Sequence, residues 1–209
     1  MLSMTNRNSN RIQFEYDAAG LLTNIINTLN RSISITYNAN GFIQAVTDFS
    51  GRSITYQYYN GTEPGGMLGD LKSVTTPAVT GTPTGNGFPN GKTITYTYTT
   101  GFSDDRLNHN LLTMTDGRRN NPSDPTFNDG PYLVNVYSTT TDPNDDMFDR
   151  VVRQRWGGNI VDIDYVQVQP SPNNANAKIK AIVNDRVGNV SESFYDQGNR
   201  KVLVREYTG

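Results

Sequence analysis

The chain of 209 residues contains no cysteine, one histidine and one tryptophan. Without thiols there is no disulfide framework, no thiolate metal site and no cysteine nucleophile. With His109 alone, imidazole-based metal centres and general-base catalysis rest on a single side chain. No apolar run reaches the roughly 18 residues that span a bilayer as a helix. The first residues, MLSMTNRNSNR, lack the apolar segment of a secretion signal. Net charge is −2 with 18% charged residues, and the densest basic cluster is Arg150, Arg153 and Arg155. Nucleic-acid binding needs a stronger electrostatic footprint, so no nucleic-acid partner is expected, and no membrane insertion.

What the chain does have is Asn, Thr, Ser, Gly and Tyr throughout. Thr and Tyr suit a pleated surface, and Asn and Gly suit turns with positive φ. These residues recur with a period. Tyr16, Tyr37 and Tyr58 stand 21 apart, Gly20 and Gly41 follow the first two at one offset, and Arg11, Arg31 and Arg52 open similar units. Further copies start at KTITYTYTT (with Tyr96 and Tyr98), YLVNVYS and AIVNDRVGN. Within a unit the alternation has period two: Ile33, Ile35 and Tyr37 against Ser32, Ser34 and Thr36. This pattern predicts strands with one buried and one wet face. Asn40-Gly41, Asn60-Gly61 and Asn90-Gly91 predict the intervening hairpin turns.

The expected fold is therefore all-β: one repeat domain over 1–209 of about six β-hairpin units, stacked laterally in an antiparallel sheet. Long loops are expected near 60–70, 76–91, 116–131 and 170–177, where Gly, Pro and Asn accumulate, with Leu71–Thr75 as a return strand.

The recurring segments are Tyr16-Asp17-Ala-Ala-Gly20, Tyr37-Asn-Ala-Asn-Gly41, Asp48-Phe-Ser-Gly51-Arg52, Asp116-Gly117-Arg118 and Tyr195-Asp196-Gln-Gly198. In this the chain resembles the RHS or YD-repeat family. The resemblance implies hairpins wound into a curved, spiralling sheet, an incomplete shell at this length. It also implies a structural role, in toxin shells or cell-surface adhesion proteins, with tyrosine ladders across adjacent strands. The expected setting is secreted or cell-surface, and the chain is expected to be a fragment or short copy of a longer repeat protein. Expected partners are further copies or adjoining YD-repeat segments, joined through open sheet edges. The self-cleaving motif of the family is not matched at Asp124-Pro125 or Asp142-Pro143, which lack its glycines.

No catalytic residue, cofactor or firm metal site emerges. His109 lies near Ser103, Asp104 and Asp105, in a segment that reads as a turn. Asp142, Asn144, Asp146 and Asp149 alternate as in an oxygen-ligand calcium loop. However, Met147 and Arg153 stand where the calcium hand requires Gly and a bidentate Glu. The twelve tyrosines and Trp156 suggest an alternative, a carbohydrate- or protein-binding adhesion module whose ligand is a cell-surface glycan or protein. The leading expectation remains a non-enzymatic scaffold.

Overall fold

In the computed structural model, residues 2–83, 87–118, 130–185 and 187–208 are described. Asp124 and Pro125, and with them most of the expected loop at 116–131, lie outside these residues. The described chain forms fifteen strands and almost no helix. They are β1 (Leu2–Thr5), β2 (Arg11–Tyr16), β3 (Leu22–Ile26), β4 (Ser32–Tyr37), β5 (Ile43–Thr47), β6 (Ser53–Tyr58), β7 (Leu71–Thr75), β8 (Thr93–Tyr98), β9 (Leu111–Thr115), β10 (Leu133–Tyr137), β11 (Val151–Trp156), β12 (Asn159–Gln167), β13 (Ile179–Asn184), β14 (Val190–Tyr195) and β15 (Lys201–Tyr207). The fold is all-β and antiparallel, as expected. Among the described residues no helix is long and apolar enough to cross a membrane.

The chain divides into two compact units, Met1–Tyr96 with Asp116–Asn128, and Thr97–Thr115 with Asp129–Gly209. In the first, β1 to β7 pair each with the next, and β7 pairs with β8. In the second, β9 to β15 do the same. Such a meander needs only local turns, and the turn chemistry below supplies them.

Register sorts side chains by face. In the first unit Leu2, Phe14, Ile25 and Ile33 form one cross-strand row, and Ile35, Val46 and Ile54 form another. Tyr56, Val74 and Ile94 continue that apolar face. The opposite face carries Thr36, Ala45, Thr55, Thr75 and Thr93 in one row. Hydroxyl pairs join it across strands, Thr75 to Thr93 at 2.9 Å and Thr47 to Ser53 at 3.0 Å.

The period-two reading is right about which residues share a face but wrong about burial. Ile33 is 40% exposed, Leu2 64% and Met4 67%. A lone sheet layer cannot cover its own apolar face, which takes a second layer. Cover comes locally from loops. The segment Thr76–Val79 lies over Ile33, Val46 and Ile54, leaving a groove of about 580 Å³. In the second unit Leu133, Ile179, Ala181, Phe194 and the fully enclosed Ala177 are buried.

Candidate functional site

The repeated chemistry lies in the turns. At seven places among the described residues an Asp or Asn opens a five-residue turn and its Oδ1 accepts two backbone N–H groups, from the third and fifth residues, at 2.9–3.1 Å. The openers are Asn6, Asp17, Asn27, Asn38, Asp48, Asp185 and Asp196. The fourth residue takes positive φ each time: Ser9, Gly20, Asn30, Gly41, Gly51, Gly188 and Asn199. The N–H of the opener donates to the carbonyl of the fifth residue, for example Asn38 to Phe42 at 2.9 Å. These are three-residue hairpin loops, a type I turn followed by a left-handed residue, with the Asx side chain satisfying the donors inside the loop.

This explains three of the repeat glycines and excludes a fourth. Gly20, Gly41 and Gly51 occupy the left-handed place. Gly198 does not: it stands one place earlier in its turn than Gly20 or Gly41 in theirs, and Asn199 takes the left-handed position with φ 55°. In the dipeptide expected to form a tight turn at 60–61, Gly61 has φ 83° but belongs to the longer loop between β6 and β7. Asp116 opens a similar start, its Oδ1 accepting from the Arg118 N–H at 3.0 Å. A Cβ on Gly117 would come within 2.6 Å of Lys92 Cβ.

The fifth position explains the recurring arginine. The Arg52 side chain donates to Asp48 Oδ2 through Nε at 2.8 Å and Nη2 at 2.6 Å. Arg200 repeats this on Asp196 at 2.9 and 2.7 Å. Hydrogen bonds from the Ser50 hydroxyl and from Arg52 hold the Asp48 carboxyl well below its ordinary range. Arg200, followed by backbone N–H groups, lowers Asp196. The Asn189 side chain lowers Asp185.

The repeat tyrosines mark the other end of each strand. The pairing register slips immediately before Tyr16, Tyr37, Tyr58, Tyr137 and Tyr195. Each therefore sits opposite a bulge, which adds local twist. The hydroxyls of Tyr37, Tyr58 and Tyr137, and that of Tyr165 in β12, reach back to the preceding strand. Tyr37 donates to the Leu22 carbonyl at 2.8 Å, Tyr58 to Ile43 at 3.0 Å and Tyr165 to Val151 at 3.1 Å. Leu22, Ile43 and Val151 are the residues paired with Tyr16, Tyr37 and Tyr137, so each latch closes on the previous bulge. Tyr137 donates in turn to Leu111 at 3.1 Å. Burial raises the Tyr58, Tyr137 and Tyr165 hydroxyls, which keeps them protonated donors.

The expected ladder of touching tyrosines is corrected by this geometry. Tyr37 and Tyr58 lie two strands apart, roughly 9–10 Å. Phe42 fills the gap, its ring stacking on Tyr58 with centroids 4.9 Å apart.

Several important residues carry no repeat signal. Tyr59 is 6% exposed, and its hydroxyl donates to the Tyr96 carbonyl at 2.8 Å. Gly66 lies so close that a Cβ there would come within 2.3 Å of the Tyr59 ring. The loop near 60–70 is thus a packed clamp rather than a free surface loop. Buried Asn108 closes the loop before β9, pairing with both the N–H and the carbonyl of Phe102 at 3.0 Å. Buried Asn135 bridges the Leu111 carbonyl and Gln154, each at 2.9 Å.

The candidate calcium ligands are not brought together. The Asp142 carboxylate caps the Asn144 N–H at 2.9 Å, Asp146 accepts from the Gln167 amide, and Asp149 accepts from Asn110 at 2.6 Å. Asp149 also takes positive φ, and the carboxylates diverge toward different partners. Among the described residues no group of three His, Cys, Asp or Glu could hold a metal. His109 has positive φ in its turn, with Nε2 3.7 Å from the exposed Asp105 carboxylate. Asp104 is engaged by Arg106.

No family model matches the chain, and no curated protein is similar to it. Among solved structures it is similar to a chain titled "Crystal Structure of TcdB2-TccC3-TEV", at 15% identity and a TM-score of 0.46. The match covers 99% of this chain and 8% of that one.

Proposed function

We propose that the chain is a non-enzymatic structural segment of the YD-repeat type. It acts as a scaffold in an extracellular or toxin-associated β-shell, or as a self-assembling surface filament. One observation carries the reading: the recurring Asx residues, the left-handed glycines and the tyrosines Tyr37, Tyr58 and Tyr137 all serve to close the backbone. The Asx carboxylates and amides cap turns, Arg52 and Arg200 pair with the aspartates of theirs, and tyrosine hydroxyls latch one hairpin to the next. Chemistry repeated seven times for closure builds a surface; it does not assemble a nucleophile, a base and an orienting group.

The partners in this reading are further copies or adjoining repeats, added strand by strand. The outer edge of β1 suits such addition: LSMT carries neither charge nor proline, the usual guards of an edge strand. Light scattering with electron microscopy over a concentration series tests the reading. Filaments or closed multimers are the expected outcome. A monomer at every concentration would remove the filament, and measurable turnover of a substrate would remove the scaffold reading altogether.

A further inference from the structure

The two rows of turns in the first unit carry opposite charge. On one side lie the turns 6–10, 27–31 and 48–52, the first residue of β2, and the loop residues 76–83 and 87–92. These hold Arg7, Arg11, Arg31, Arg52 and Lys92 against one carboxylate, Asp48. Asp116 and Arg118, beside Lys92, cancel each other. The opposite row, 17–21, 38–42 and 59–70, holds Asp17, Glu63 and Asp70 and no lysine or arginine, although Lys72 of β7 reaches Glu63 and pairs with it. The meander makes this separation possible, because alternate turns fall on alternate sides.

The cations are regularly spaced and held in place. Arg31, Arg52 and Lys92 each close a turn or loop through their backbone carbonyl, so they occupy equivalent positions two strands apart, roughly 9.5 Å. The Arg31 guanidinium lies 4.8 Å from the centroid of Phe49, in the next turn, and the Lys92 ammonium 4.1 Å from that of Phe88. All five cationic residues are exposed. Stacking on a ring lowers the conformational entropy a long side chain loses on binding. Between the cations stand neutral hydrogen-bonding residues, Asn8, Thr28, Asn30 and Ser50.

We propose that this turn row binds a linear acidic polysaccharide bearing about one carboxylate per disaccharide. Two features select the ligand. A cationic side chain every two strands, with Arg52 already paired to Asp48, is far sparser than duplex DNA, which presents one charge per ~1.7 Å of axis. The hydroxyl and amide groups between the cations match sugar hydroxyls rather than bare phosphates. This site is independent of the scaffold role.

The test uses the full chain, with a hyaluronan oligosaccharide and a short DNA duplex as probes in isothermal titration calorimetry. Hyaluronan binds at low salt and at least tenfold more weakly once the Debye length falls to about 8 Å. The triple variant Arg11→Gln, Arg31→Gln, Lys92→Gln loses tenfold or more of the affinity. Lys178→Gln with Lys201→Gln, in the second unit, changes nothing. Should the triple variant fold poorly, phenylglyoxal labelling of the wild-type chain decides: hyaluronan protects Arg11 and Arg31 but not Arg205. Failure of hyaluronan to bind, equal binding by the triple variant, or unprotected Arg31 would overturn the proposal. DNA binding as tight as hyaluronan would do so too, in favour of a nucleic-acid site.

Discussion

An aspartate and an asparagine are interchangeable as turn openers, since both offer an Oδ1 to two N–H groups. Only the aspartate also pairs with the arginine four residues on. Replacing Asp48 with Asn is therefore expected to lower the melting temperature less than replacing it with Ala. The same aspartates set the acid response. Asp48, Asp185 and Asp196 are held below their ordinary 3.8 in the folded chain. Depressed folded values mean that the unfolded chain binds more protons in this range, so their contribution is present above about pH 5 and is lost as pH falls below about 4. Calorimetry from neutral to acid pH should show a flat melting temperature and then a decline, shallower in an Asp48→Asn, Asp196→Asn variant. A second residue-scale prediction separates two kinds of glycine. At Gly41 a Cβ meets nothing, so Gly41→Ala loses only the left-handed preference, about 1–2 kcal/mol, and Gly41→Asn loses less because Asn30 and Asn199 already do this work. At Gly91 a Cβ would lie 2.0 Å from the Thr76 carbonyl oxygen, so Gly91→Ala must also move backbone. Urea denaturation should rank Gly91→Ala as the most damaging of the three.

The pairs β3–β4 and β5–β6 are each closed at one end by an Asx turn and fastened at the other by a tyrosine hydroxyl. Removing that hydroxyl in Tyr37→Phe or Tyr58→Phe leaves the ring packing but orphans a carbonyl. The expected loss is about 0.5–1.5 kcal/mol each. The latches use different carbonyls, Leu22 and Ile43, and meet only where Ile43 lies opposite Tyr37; if that contact does not couple them, the double variant loses the sum within about 0.5 kcal/mol, again by urea denaturation. A clearly larger loss would mean that the latches act as one cooperative chain. The latch also shows what the sequence could carry. Tyr37 and Gly41 recur at fixed spacing because strand length and turn length are fixed, so strand, turn and shared face were all readable. The bulge was not, since it depends on the extra residue opposite Tyr37, in β5, which has no distinctive side chain. Tyr59 was hidden for another reason: it adjoins a repeat tyrosine, and only the fold of residues 60–70, with Gly66 against its ring, makes it a core residue. Arg52 was visible as a recurrence, but its role needed Asp48 placed four residues before it across a closed turn. The calcium pattern failed because alternation in a loop, unlike alternation in a strand, does not fix where side chains point.

On the apolar face of the first unit Leu2, Met4, Ile12 and Ile33 are all exposed, and this uncovered face bears on how copies would associate. Two surfaces compete for that role: the apolar rows ending at Leu2 and Met4, and the unpaired backbone along β1. They respond differently to a charge. Hydrophobic association through the face scales with apolar area and strengthens with salting-out ions. Strand addition needs the β1 edge to stay flat and uncharged. Ser3 lies on the face opposite Leu2 and Met4, so Ser3→Lys charges the edge while leaving the apolar rows intact. If assembly proceeds by strand addition, Ser3→Lys should abolish the concentration-dependent rise in scattering mass, whereas Met4→Ser should reduce it only partly. The reverse ranking, Met4→Ser abolishing association and Ser3→Lys sparing it, would place the contact on the apolar face. The sheet would then gain its second layer from another copy instead of lengthening by a strand.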